Sequence, residues 1–107
     1  FGDRCLVHFA QCLRESLAGA AVFGRYGGEE FLAIVPDGDE ALAHALAERL
    51  RERTSRTPVH VHDMQHRLTV SIGIAALDPI EPQVALAKAD RAMYRAKAAG
   101  RNRVELG

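Results

Sequence analysis

Two short apolar runs, residues 20–25 and 30–35, flank the tetrapeptide Tyr26-Gly27-Gly28-Glu29, and this arrangement constrains the fold more than any other feature. Adjacent glycines supply the positive φ angles that tight strand connections need, so the segment predicts a β-hairpin. Helix-period segments lie on both sides of it. Leu6, Phe9, Ala10, Leu13 and Leu17 recur at spacings of three and four, opposite Arg4, Gln11, Arg14 and Glu15. Asp3 stands at the N-cap position of this first helix and Ala18-Gly19 ends it.

After the break at Pro36-Asp37-Gly38-Asp39, Leu42, Ala45, Leu46, Arg49 and Leu50 mark one face of a second helix, which runs to about residue 53 with Asp39 or Asp37 as its cap. Thr57-Pro58 interrupts it. Val59-His60-Val61-His62 then alternates, Asp63-Met64-Gln65 turns the chain, and residues 67–75 alternate again through Val70, Ile72 and Ile74, which predicts a second hairpin. A third helix spans about residues 83–99, with Pro82 or Gln83 in its first turn and Gly100 as its stop. Val104 and Leu106 predict one closing strand. The expected architecture is a single α+β domain over residues 1–107, an antiparallel-rich sheet covered by helices.

The 107 residues are 48% hydrophobic and 26% charged, which suits one compact core and excludes a disordered tail. Lys plus Arg equals Asp plus Glu at 14 each, so the chain lacks the positive surplus of a nucleic-acid polymer or anionic-membrane binder. A local basic grip on one phosphorylated small molecule stays compatible with that balance. No run approaches the roughly 20 apolar residues of a membrane span, and Phe1-Gly2-Asp3-Arg4 does not open a signal peptide. Cys5 and Cys12 are seven positions apart in the first helix, about 10 Å along its axis and beyond disulfide reach. They read as two small buried or half-buried thiols that suit a reducing compartment.

Gly27-Gly28-Glu29-Glu30-Phe31 is the sharpest local pattern. Glycines expose backbone N–H groups to a ligand, and two carboxylates beside them can hold a divalent cation. Neighbouring strand residues face opposite ways, so Glu29 and Glu30 would do different jobs in a regular strand. By itself the pentapeptide equally reads as a solvated turn with two surface glutamates, the commoner outcome for so short a pattern. Lys97 and Arg101, four apart across the end of the third helix, form a second candidate. They suit a phosphate, Lys as a point charge and Arg as a two-pronged donor, although basic side chains also serve a helix C-terminus without any ligand. The spacing of His60, His62 and His66 is compatible with zinc, but the polar outer face of a hairpin explains them better. His8 and His44 fall on polar helix faces.

In order along the chain, Arg25-Tyr26-Gly27-Gly28-Glu29-Glu30-Phe31, Thr69-Val70-Ser71-Ile72-Gly73-Ile74-Ala75 and the run from Ala89 to Asn102 resemble the signatures of the GGDEF family, the bacterial diguanylate cyclases. The resemblance implies a nucleotide-cyclase-like, polymerase-palm-like α+β fold and the joining of two GTP into cyclic di-GMP with release of two pyrophosphates. It implies a second protomer facing the first across a two-fold axis, and Mg²⁺ or Mn²⁺ as the metal. Glu29 matches the metal-binding and general-base carboxylate, and Glu30 the neighbouring acidic position also needed there. Gly27 and Gly28 match the turn against the triphosphate, Lys97 and Arg101 the phosphate contacts, and Asp3 the carboxylate that accepts hydrogen bonds from the guanine edge.

Ala18-Gly19-Ala20-Ala21 stands where the family carries an Arg-x-x-Asp product site, so feedback through that site is not expected, and Arg49 without those partners reads as a surface charge. The family's opening strand, with an aspartate metal ligand, and the helix after it, with a guanine-binding asparagine, have no counterpart before Phe1. The sequence therefore reads as an N-terminally truncated, later part of a longer domain, inactive alone and preceded in its parent chain by a sensory or regulatory domain. The resemblance implies a cytoplasmic domain without membrane contact of its own, in a parent chain whose attachment to a membrane stays open. The alternative is a degenerate, non-catalytic module that binds GTP or cyclic di-GMP for regulation or dimerisation.

Overall fold

The computed structural model describes residues 3–17, 19, 21–27, 30–35 and 39–107. Their elements follow the order α1 (Asp3–Leu17), β1 (Val22–Gly27), β2 (Glu30–Ile34), α2 (Glu40–Arg56), β3 (Val59–Val61), β4 (Met64–His66), β5 (Ser71–Ile74), α3 (Pro82–Ala98) and β6 (Arg103–Leu106). α1 and α2 fall where the apolar periodicity places them, and α3 falls between the expected Pro82 or Gln83 start and the Gly100 stop, all with shifted ends. Asp3 lies inside the first turn of α1 rather than at its cap, where its carboxylate still complements the positive end of the helix dipole. Asp39 is the cap of α2: its Oδ1 accepts from Leu42 N–H at 2.8 Å. That helix continues past the expected end to Arg56, where Thr57 Oγ1 donates to Arg53 O at 2.7 Å and Pro58 follows.

The second hairpin needs correction. β3 pairs antiparallel with β4 in the register Val59↔His66 and Val61↔Met64, leaving His62-Asp63 as a two-residue loop. Both loop residues have positive φ, 51° and 64°. That is the type I′ geometry that matches strand twist, and His and Asp tolerate it better than most side chains. The turn therefore comes one residue earlier than predicted, and His62 leaves the strand face it was expected to share with His60. Residues 71–74 do not belong to this hairpin. As β5 they pair parallel with β6, from Ser71↔Arg103 to Ile74↔Leu106. A parallel pair needs a long crossover, and α3 supplies it. The closing strand forms as expected, in a mixed set of three two-stranded sheets among the described residues, two of them antiparallel.

Two kinds of packing hold the layers. α1 and α2 meet through Cys12, Leu13, Leu17, Leu46 and Leu50, with Phe9, Ala21, Phe31, Val35 and Ile72 closing around them. The Phe9 and Phe31 rings stand edge to face with centroids 5.1 Å apart, which docks β2 on α1. α3 instead lies almost on the backbone of β5. A Cβ built on Gly73 would sit 2.0 Å from Ala89 O and 2.4 Å from Met93 N. Buried Ala85, Ala92 and Ala96 keep that helix face thin enough for so close an approach. No described helix is long and apolar enough to cross a membrane.

Candidate functional site

The turn that follows α3 starts from two backbone bonds. Arg101 N–H donates to Ala96 O at 2.9 Å and Gly100 N–H to Lys97 O at 3.5 Å, the two bonds of a Schellman motif. Gly100 has φ 123°, a conformation that glycine adopts without penalty. Arg101 and Asn102 then follow with φ 63° and 48°, which is uncommon for residues that carry a Cβ. Such a conformation persists only when its surroundings hold it. Arg103 Nε donates to the Arg101 carbonyl at 3.3 Å, and Arg51 Nη1 of α2 donates to Asn102 Oδ1 at 3.2 Å.

Arg51 is itself fixed by Glu48 one turn earlier, through paired bonds of 3.1 Å from Nε and Nη2 to the two carboxylate oxygens. This pairing holds the Glu48 carboxyl below the usual carboxylate range and raises Arg51. Lys97 and Arg101 are both exposed on the turn so secured. Among the described residues their side chains make no hydrogen bond, whereas Arg95 in the same last turn donates to Leu106 O at 2.8 Å. The structure thus brings Lys97 and Arg101 to one helix end, the arrangement a multiply charged phosphate would use.

Between β1 and β2 the register runs from Val22↔Ile34 to Arg25↔Phe31, shifts, and ends on Gly27↔Glu30. The irregularity lies on β1, and the opposite-face expectation for Glu29 and Glu30 falls, with Glu29, outside the described residues. Glu30 opens β2 as an exposed residue. Gly28 and Glu29, which fall between the paired Gly27 and Glu30, lie outside the described residues, so the Glu29 metal-ligand assignment does too. Among the described residues no group of three or more His, Cys, Asp or Glu side chains is placed to hold a metal ion.

Asp3 belongs to a third place. With Arg4, Val7, His8, Gln11 and Val59 it lines an open groove of about 330 Å³. His8 Nε2 lies 2.7 Å from Thr57 O, which ties α1 to the end of α2 and gives this histidine a structural use the sequence did not suggest. Asp3, the Gly27/Glu30 pair and the Lys97/Arg101 turn are therefore carried by separate elements. Glu48, Arg51 and Asn102 were not singled out from the sequence. The i, i+3 spacing of Glu48 and Arg51, and an Asn just beyond the glycine of a helix end, are the local signals that could have flagged them. The bond between Arg51 and Asn102 spans 51 positions and leaves no local trace.

The profile of the family described as diguanylate cyclase, GGDEF domain, matches residues 1–103. The chain is 38% identical over 106 residues to the diguanylate cyclase DgcP of Pseudomonas aeruginosa, covering 98% of this chain and 16% of that protein. It is 40% identical over 107 residues to the response regulator PleD of Caulobacter vibrioides, covering 96% of this chain and 24% of that one. The chain thus spans a quarter or less of the length of either relative. Among solved structures, the GGDEF domain of DgcB from Caulobacter crescentus in complex with c-di-GMP superposes with a TM-score of 0.89 at 30% identity, covering 97% of this chain and 63% of that one.

Proposed function

The chain belongs to the diguanylate cyclase GGDEF family, and from that premise we propose that it forms the greater part of a domain that condenses two GTP into cyclic di-GMP. The observation that carries this reading is the secured turn after α3, the helix end that carries the exposed Lys97 and Arg101. A triphosphate and its departing pyrophosphate concentrate negative charge, and two cations on a rigid turn offset it without reorganising. Lys97 serves as the point charge and Arg101 as the planar fork.

On the hairpin, the Gly27-Gly28 backbone lets the triphosphate approach closely. Glu29 accepts the proton of the attacking 3′-hydroxyl, and Glu30 supports the same acidic edge. Asp3 accepts from the guanine edge, orienting the base. The oxygen donors of Glu29 and Glu30 suit Mg²⁺ or Mn²⁺, with Glu29 as the holding residue; bound there, the metal supplies charge neutralisation and polarisation of the phosphate oxygens. Because each protomer holds one GTP, bond formation in both directions needs a second copy related by a two-fold axis.

We also assign an upstream strand to this domain. β1–β2 and β5–β6 form separate sheets that face one shared core cluster through Phe31 and Ile72. Val22, Leu32 and Ile34 of the hairpin remain 71%, 38% and 45% exposed. A strand laid between the two sheets would pair with their open edges, and chain leading from it would cover the face that Leu32 and Ile34 form opposite Phe31. A sensory or regulatory domain in the same parent chain, a cytoplasmic placement and the lack of an Arg-x-x-Asp product site complete the reading.

The test uses the natural chain, including residues upstream of Phe1, incubated with GTP and Mg²⁺ and assayed for cyclic di-GMP by chromatography and mass. Product should form, and Glu29→Gln should lower its rate by about 10²–10⁴-fold, the usual contribution of a positioned base. GTP binding without product, at concentrations that pair protomers, would replace the enzyme with a non-catalytic nucleotide-binding module.

A further inference from the structure

We propose that Arg51 is a positioning residue for the nucleotide phosphates, acting from α2 through Asn102 on the turn that carries Arg101. This rests on the reading of Arg101 as a phosphate contact and adds to it a device that sets where Arg101 points. Arg101 and Asn102 are consecutive residues with positive φ, and neither is glycine. The Schellman bonds fix the backbone only as far as Arg101 N–H. Beyond that point Arg103 Nε holds the Arg101 carbonyl, β6 pairs with β5 from Arg103 onward, and the Asn102 side chain ties the turn to α2.

Its anchor is well suited to the task. Arg51 spends Nε and Nη2 on both oxygens of Glu48, and Nη1 remains to reach Asn102 Oδ1 at 3.2 Å. The planar fork therefore has one orientation, and that orientation is transmitted to the turn. Glu52 lies within 3.9 Å of Arg51 Nη2 and adds to the acidic side of the anchor. The Arg51 side chain is 20% exposed, so the bond to Asn102 competes with water less than a fully exposed one would. A phosphate held by Arg101 then feels the state of α2, although Arg51 does not touch it.

The experiment measures the affinity of the natural chain for a non-hydrolysable GTP analogue, with KM and kcat for GTP alongside. Arg101→Ala reports on the phosphate contact itself. Arg51→Ala should weaken analogue binding and raise KM by about 3–10-fold, with kcat changed less than about twofold, since the contact acts on binding rather than on the reacting atoms. Asn102→Gly keeps a residue at ease with positive φ and removes the amide that Arg51 holds, together with the Cβ, so it should weaken binding to a similar degree while the protein stays folded. In an Arg101→Ala background, Arg51→Ala should add less than about twofold, because the two act as one unit.

If Arg101→Ala leaves binding unchanged, the phosphate assignment itself fails. If Arg101→Ala weakens binding but Asn102→Gly does not, that assignment stands and the positioning role is overturned. A full-sized Arg51→Ala effect persisting in the Arg101→Ala background also overturns it, because Arg51 would then act elsewhere.

Discussion

The interface between α1 and α2 and the interface between α3 and β5 solve the same problem by opposite means. The first is made of large side chains, Leu13, Leu17, Leu46 and Leu50 around Cys12, with Phe9 and Phe31 edge to face at its border. The second is made of almost none: Gly73 below and buried alanines above bring backbone against backbone. Interdigitated side chains can change rotamer and partly fill a gap. A backbone seated on a backbone has no such freedom. The difference places Lys97, in the last turn of the helix that Gly73 admits, on the less adjustable layer.

The largest loss of stability should come from opening the adjustable interface. Leu17→Ala removes a buried side chain from the cluster and should cost about 2–5 kcal/mol in urea unfolding. Substrate affinity of the folded fraction should stay nearly unchanged. Gly73→Ala breaks the rigid interface instead, by inserting a methyl group where Ala89 O and Met93 N already stand. Its expected cost is about 1–3 kcal/mol, but it must displace α3, so GTP affinity should fall with it. Equal effects of the two substitutions on binding would erase the contrast between the layers.

Asp39→Ala tests the first layer more gently. Removing the cap that accepts from Leu42 N–H should cost about 0.5–2 kcal/mol, seen as a lower thermal midpoint without change at the α3 turn. The smallest effect is a pH dependence at Cys12. Burial raises this thiol above its ordinary value, the nearby Glu15 carboxylate adds to the rise, and Arg53 and a hydrogen bond with Thr54 oppose it. The folded state therefore keeps its proton to higher pH than the unfolded state. Stability should fall as pH rises above about 8.5, where the unfolded thiol ionises. Comparing urea midpoints of wild type and Cys12→Ala at neutral and alkaline pH isolates this contribution, which Cys12→Ala should remove.

Much of the fold was legible because local chemistry dictated it. Apolar spacing of three and four placed α1 and α2, Asp39 marked a start, Pro82 or Gln83 opened α3, and Gly100 marked an end whose φ of 123° bears out the choice of residue. The paired Gly27 and Glu30 bear out the first hairpin. The second hairpin was misjudged because two adjacent alternating runs carry no record of their partners. The short β3–β4 pair closes on His62-Asp63, and the next run is claimed by a strand 32 positions downstream, from Ser71 to Arg103. Of the site, the residue types at the α3 end were readable, but not the anchor that secures them.

The sequence by itself determined the elements, their approximate ends and the family signatures, because backbone preference, periodicity and turn chemistry act over a few neighbouring residues. Only the tertiary structure decided that β6 runs parallel to β5, that α3 rests on the backbone at Gly73, and that Arg51 reaches Asn102. Those outcomes depend on which distant surfaces come together to bury apolar area and satisfy polar groups, and no local pattern encodes that choice.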